Sequence, residues 1–84
     1  MIHYQYIPTG VCSRLIDIDL DEQGTIARIQ VTGGCHGNLQ GIASLLRGMK
    51  PADAIARLKG IRCGNKATSC PDQIATALET IQQQ

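Results

Sequence analysis

Large aromatic side chains are nearly absent from this sequence, which has no phenylalanine, no tryptophan and two tyrosines, Tyr4 and Tyr6. The core must therefore consist mainly of Ile, Leu, Val and Ala side chains. We expect one domain from a chain of 84 residues, and a domain this small buries a limited core unless a crosslink stabilises it. Residues that can crosslink the chain are therefore expected to be important for the stability of this fold.

Membrane segments, secretion signals and basic clusters are also missing from the chain as given. Its longest apolar stretches are a few residues, far short of the ~20 needed to span a bilayer. Residues 1–8 have no basic start, apolar region or small-residue cleavage site, so we predict a soluble, cytoplasmic protein with reduced thiols. The formal charge is +1 and Lys and Arg are dispersed, which argues against a nucleic-acid partner.

The first third of the sequence predicts an antiparallel β-meander. Residues 2–7, 14–20 and 25–32 alternate apolar and polar side chains, and turn-forming residues separate the three runs. The side chains expected on the apolar faces of the second and third strands are Ile16, Ile18, Leu20, Ala27, Ile29 and Val31.

After Gly34 the apolar residues no longer alternate with polar ones and instead recur at helical spacing. One helix is predicted to start after Asn38 as N-cap and to stop at Gly48, and a second to run from Pro51 to Gly60. A third is predicted over residues 70–82. The apolar stripe of the second helix is expected to be Ala52, Ile55, Ala56 and Leu58.

Strands followed by helices, without β-α-β alternation, predict an α+β fold. We expect about three strands in a meander and about three helices packed on one face of the sheet. Apolar surface left over in so small a domain would be buried in a homodimer.

Four cysteines lie at predicted ends of these elements. Cys12 follows the first strand, Cys35 precedes the first helix, Cys63 lies in a loop and Cys70 opens the last helix. Zinc binds four thiolates in closed structural sites, and the positive end of a helix dipole stabilises a thiolate. A shared metal site is the favoured interpretation, but the spacing has no CxxC pair, so disulfides and inert buried cysteines stay open as alternatives.

Three other residues have candidate roles. Ser69 is suited to cap the last helix, with Asp72 as the acidic half of a capping box. His36 follows Cys35 and is either a replacement ligand, a hydrogen-bond donor to a thiolate, or an ordinary half-exposed loop histidine. The last interpretation is favoured.

Residues 68–72, Thr-Ser-Cys-Pro-Asp, resemble the motif for which the TSCPD-domain family is named. The resemblance extends to Gly-Val-Cys at 10–12, Gly-Gly-Cys-His-Gly-Asn at 33–38 and Cys-Gly-Asn-Lys at 63–66. It therefore covers essentially the whole chain.

The resemblance implies one metal-binding domain over residues 1–84, with zinc as the expected metal. Members of the family occur as small four-cysteine proteins and as the C-terminal part of some ribonucleotide reductases, especially cobalamin-dependent ones. A reductase large subunit is therefore the implied partner, and deoxyribonucleotide synthesis for DNA the implied process. No catalytic residue is assigned, because a chain of 84 residues cannot house the barrel and radical cysteine of a reductase. The implied metal ligands are Cys12, Cys35, Cys63 and Cys70.

A second similarity is to iron–sulfur cluster scaffolds of the U type, whose cysteine layout matches Cys12, Cys35 and Cys70. Those scaffolds carry an acidic residue two positions after the first cysteine, whereas this chain has Arg14 there and adds Cys63 as a fourth thiol. The similarity supports the fold more than the activity. An iron–sulfur scaffold or a thiol redox protein using the same cysteines is the alternative function.

Overall fold

The computed structural model describes residues 1–34 and 36–82, in which a three-stranded antiparallel sheet precedes three helices. This order confirms the predicted α+β class. Among the residues described, no helix is long and apolar enough to cross a bilayer. The elements are β1 (Ile2–Tyr6), β2 (Ser13–Leu20), β3 (Ile26–Gly33), α1 (His36–Leu46), α2 (Pro51–Leu58) and α3 (Cys70–Gln82).

The central strand of the sheet is β2, which pairs with β1 on one side and β3 on the other. At its middle, Ile18 lies opposite both Tyr4 and Ile29. Ile16, Ile18 and Leu20 are buried, which confirms the face predicted from alternation. One side of the sheet therefore supplies the apolar surface on which the helices pack.

The alternation predicted for β3 is wrong at its start. Ile26 was not assigned to the apolar face, yet it is 1% exposed, whereas Ala27 is only half-buried. The register shifts here, since Leu20 pairs with Ile26 while its neighbour Asp19 pairs with Arg28. A β-bulge leaves Ala27 as the extra residue and turns Ile26 back toward the core.

The helices cover the inner face of the sheet and share one core with it. Asn38 lies inside α1, which begins three residues earlier than predicted, at His36. The predicted face of α2 is partly wrong, because Ala54 is buried and Ala52 and Ala56 are exposed. The buried core residues are Ile16, Ile18, Leu20, Ile26, Ile29, Leu46, Ala54, Ile74, Ala77 and Leu78.

The connection between α1 and α2 closes the free edge of β3. Ile26 donates its amide to the Met49 carbonyl at 2.9 Å, and Gly48 donates its amide to the Ile26 carbonyl at 2.8 Å. Gly48 has a φ of +88°, a conformation that glycine adopts without strain, and α1 ends two residues before it. The predicted stop at Gly48 is confirmed, and the two helices are held at the side of the sheet.

The outer face of the sheet carries a histidine between two carboxylates. His3 lies opposite Asp19; its Nδ1 is hydrogen-bonded to the Asp19 carboxylate, and its Nε2 is 3.2 Å from Oδ1 of Asp17. The hydrogen bond to Asp19 and the charges of both carboxylates raise the pKa of His3 above its ordinary value of 6.5.

We expect Asp19→Asn to lower the pKa of His3, measured by NMR titration of the imidazole protons. Because the folded-state pKa is raised, protonated His3 stabilises the fold below pH 6.5, and this contribution is lost as the pH rises through the raised value. Asp53→Asn on α2 serves as the control and should leave the titration unchanged. An equal pKa in the Asp19→Asn protein would show that the carboxylate does not act on the imidazole.

Candidate functional site

Three of the four predicted ligand cysteines lie in the described part of the chain, two of them at the start of an element and one in a loop. Cys12 lies just before β2 and is exposed, as is Cys63 in the loop between α2 and α3. Cys70 is the first residue of α3 and is partly buried. Cys35 lies outside the described residues, so its predicted role is untested.

The segment that carries Cys12 contacts the start of α3 through a serine. Ser13 is 4% exposed, and its Oγ lies 3.4 Å from Sγ of Cys70. A hydroxyl can donate to a thiolate or accept from a thiol at this distance. This contact places the loop before β2 beside the N-terminus of α3.

The end of β3 lies against the same loop because two glycines let the backbones approach closely. Gly33 and Gly34 have φ angles of +85° and +74°. A Cβ on Gly33 would lie 3.4 Å from the Cys12 carbonyl oxygen, and one on Gly34 would lie 3.1 Å from Cδ1 of Leu39. Larger residues here would be strained. The glycine pair therefore brings the chain just before position 35 to the backbone of Cys12.

A buried glutamine connects the Cys12 loop to the segment before Cys70. Gln73 is 6% exposed. Its Oε1 accepts the Thr9 amide at 3.0 Å, and its Nε2 donates to Oγ1 of Thr68 at 3.0 Å. A Cβ on Gly10 would lie 3.1 Å from Cγ2 of Thr68, so the two segments are in direct contact.

The loop that carries Cys63 is attached to the first turn of α3. Ser69 caps the helix by accepting the Asp72 amide at 3.2 Å, as predicted, and donates its hydroxyl to the Ile61 carbonyl at 2.6 Å. The acidic half of the capping box is not formed. The Asp72 carboxylate instead accepts the Thr68 hydroxyl at 2.5 Å and the Gly60 amide at 2.7 Å.

The hydrogen bond from the Thr68 hydroxyl, and to a smaller extent the bond from the Gly60 amide, lowers the pKa of Asp72 below its ordinary value. They connect both ends of the loop to one ionised side chain. Within the loop, the Lys66 amide donates to the Cys63 carbonyl at 3.0 Å, and the Cys63 amide donates to the Thr68 carbonyl at 3.2 Å. The backbone of Cys63 is therefore held in a compact turn next to α3.

Cys63 and Cys70 line one groove of about 490 Å³, together with Gly37 and Asn38 at the start of α1. Cys12 is not part of its lining. Among residues 1–34 and 36–82, no three His, Cys, Asp or Glu side chains are grouped closely enough to hold a metal ion. The structure thus brings together the segments that bear the described thiols, and two of these thiols share a groove.

Cationic and imidazole side chains near the cysteines are exposed. His36 lies at the start of α1, where its Nε2 is 2.8 Å from Nε2 of Gln40, and no bond from it to a described cysteine is present. Arg14, Arg62 and Lys66 are exposed, and within the described ranges they form no ion pair.

The sequence analysis did not identify Ser13, Thr68 or Gln73 as residues of the site. A signal existed for Gln73, since it lies one turn before Ala77 on the apolar face of α3, where a polar side chain needs a partner. Thr68 bonds to Asp72 and Gln73, four and five residues away, and its signal was its place as the first residue of the Thr-Ser-Cys-Pro-Asp motif. Ser13 gave no comparable signal, because its partner Cys70 is distant in sequence.

Comparison with known proteins supplies a family and no individual relative. Neither the curated proteins nor the solved structures contain a significant match to this chain. The model of the TSCPD domain matches residues 1–82, a range that includes every cysteine segment described above. The chain belongs to the TSCPD domain family.

Proposed function

We propose that this chain is a zinc-binding accessory or interaction domain associated with ribonucleoside-diphosphate reductase. One observation carries the proposal: the segments bearing Cys12, Cys63 and Cys70 converge on the first turn of α3, in a chain that belongs to the TSCPD family. Convergence of thiol-bearing segments from distant parts of a sequence is typical of a structural metal site.

The donor set fits zinc in its chemistry. Cys12, Cys35, Cys63 and Cys70 would hold the ion, and four thiolates form the closed coordination that zinc adopts in structural sites. The three described thiols are not grouped for ligation in this structure, so binding would require the exposed Cys12 and Cys63 to move toward Cys70. When bound, the ion supplies a crosslink between loops and no reaction. Two described thiols are exposed and the third is half-buried, so a metal would reach them without passing through the core.

Residues around the thiols have supporting roles in this proposal. Ser13 is placed to hydrogen-bond to Cys70, and such contacts orient a ligand and tune the metal site. Cys70 is the first residue of α3, so its sulfur is attached to a regular element of the fold. No residue is assigned to catalysis, so the domain would act by binding a reductase large subunit in a reducing compartment such as the cytoplasm.

Purification under anaerobic conditions should yield about one zinc per chain and a colourless protein, since four thiolates without a release residue hold zinc in a closed site. Elemental analysis and an absorption spectrum measure this.

The same zinc-loaded protein should bind the purified large subunit of a reductase, and chelation of zinc should weaken that binding in an interferometry assay.

A brown protein with stoichiometric iron would contradict the zinc proposal and favour the iron–sulfur alternative. A metal-free protein whose thiols cycle between oxidised and reduced forms would favour the redox alternative. Zinc without affinity for the reductase would leave a metal domain and refute the association.

A further inference from the structure

A second groove, distinct in position from the thiol groove, lies between α1 and α2. It has a volume of about 880 Å³ and includes Ile42, Leu45 and Met49 in its lining. Leu45 is 79% exposed, although most leucines in α1 are buried in the core. A large leucine left in solvent beside other apolar groups is typical of a binding surface.

The two grooves are continuous on the helical side of the molecule. Ile42 and Leu45 line both of them, so one apolar surface extends from α2, over the exposed side of α1, to Cys63 and Cys70. We name the part between α1 and α2 the Leu45 groove.

The lining of the Leu45 groove carries more positive than negative charge. Lys50 and Arg57 line the Leu45 groove with a single carboxylate, Asp53, and none of the three forms an ion pair within the described residues. The stretch from residue 36 to 68 contains six cationic side chains and no other carboxylate. The cations are Arg47, Lys50, Arg57, Lys59, Arg62 and Lys66.

Four of the seven acidic residues lie on the sheet side of the molecule, whereas Asp72 and Glu79 lie on α3, where Glu79 pairs with Lys59 at 2.8 Å. Asp17 and Asp19 lie on the outer face of the sheet, and Asp21 and Glu22 lie at the adjoining turn. A net charge of +1 for the whole chain therefore hides a separation between an acidic sheet side and a basic helical side. Such a separation selects partners by charge.

We propose that the Leu45 groove binds an amphipathic helix of a partner protein, with apolar side chains on one face and acidic side chains beside them. An apolar groove between two helices accepts a helix through side chains spaced three and four residues apart. Acidic flanks would pair with Lys50 and Arg57, which lack partners among the described residues.

A second copy of this chain fits the groove less well. A symmetric dimer through the groove would bring together two linings that each carry two cations and one carboxylate, and like net charge across an interface is unfavourable. Docking of the outer sheet face would bring carboxylates, but that face presents His3, Gln5 and Gln30, which cannot fill an apolar groove. The proposed helix would supply both apolar side chains for the groove and carboxylates for its cations. The proposal requires neither the metal nor the reductase.

Selection from a phage library of helical peptides, unbiased in charge, tests this proposal on the purified full-length chain. We expect enrichment of peptides with Leu or Ile at helical spacing and Asp or Glu on the flanks. Binding of a selected synthetic peptide, measured by fluorescence anisotropy, should weaken about tenfold or more in Leu45→Ser, the size expected for a central contact. Arg57→Glu should also weaken binding, and added salt should do the same.

Matched controls are Ile2→Ser, which removes another exposed apolar side chain, and Arg28→Glu, which reverses a charge on the sheet. Both should bind the peptide as the parent does, and zinc content should be the same in all variants. Enrichment of basic or uncharged peptides, no enrichment, or binding that Leu45→Ser does not affect would overturn the proposal. So would sedimentation of the parent as a dimer that Leu45→Ser dissociates, because the occupant would then be a second copy.

Discussion

Replacing Cys70 with serine is expected to abolish stoichiometric metal binding and to unfold most of the domain at room temperature. Structural zinc sites contribute about 10–16 kcal/mol of apparent binding free energy at neutral pH, comparable to the ~5–15 kcal/mol stability of a whole domain. Cys70 lies where three segments meet, so loss of its thiolate would release the loops that precede β2 and α3. Metal content and a thermal melt followed by circular dichroism measure the two effects together.

Ser69→Ala separates loss of the metal from damage to the helix start. Ser69 caps α3, and removal of such a cap costs about 1 kcal/mol. We expect this variant to melt slightly earlier with its metal content unchanged. If Cys70→Ser lost the metal and still melted with the parent, the site would not be structural.

Leu78→Ala should destabilise the domain by about 2–5 kcal/mol, since truncation of a buried leucine removes apolar contact and leaves a cavity. Leu78 is 0% exposed on α3 and packs in the core shared with the sheet. A core with no Phe or Trp has few large side chains to compensate. The free energy of unfolding from urea denaturation, at fixed zinc concentration, measures the loss.

Leu45→Ala is the matched control, because it makes the same chemical change at a leucine that is 79% exposed. We expect an effect within about 0.5 kcal/mol, as for most surface substitutions. Equal losses at the two positions would contradict the packing of α3 against the sheet.

The sequence predicted correctly those features that depend on residues close together in the chain. Alternation in β2 identified its core face because a central strand with one buried side must alternate. Cys70 was predicted to open the last helix, since Ser69 is a cap and Pro71 suits a first turn.

The errors lie where a distant part of the chain decides the outcome. Ile26 faces the core because pairing with β2 introduces a bulge at Ala27, which alternation within one strand cannot reveal. On α2, three alanines compete for the inner face, and Ala54 is buried while Ala52 and Ala56 are not. Small side chains give weak patterns, so packing against α3 and the sheet decides which face is inside.

The sequence was sufficient to predict the fold class, the place of Cys70 at the start of the last helix and the family, because these depend on local spacing and on motifs. Only the tertiary structure decided which segments meet. Ser13 contacts Cys70, and the Thr9 amide donates to Gln73, through hydrogen bonds between residues far apart in sequence.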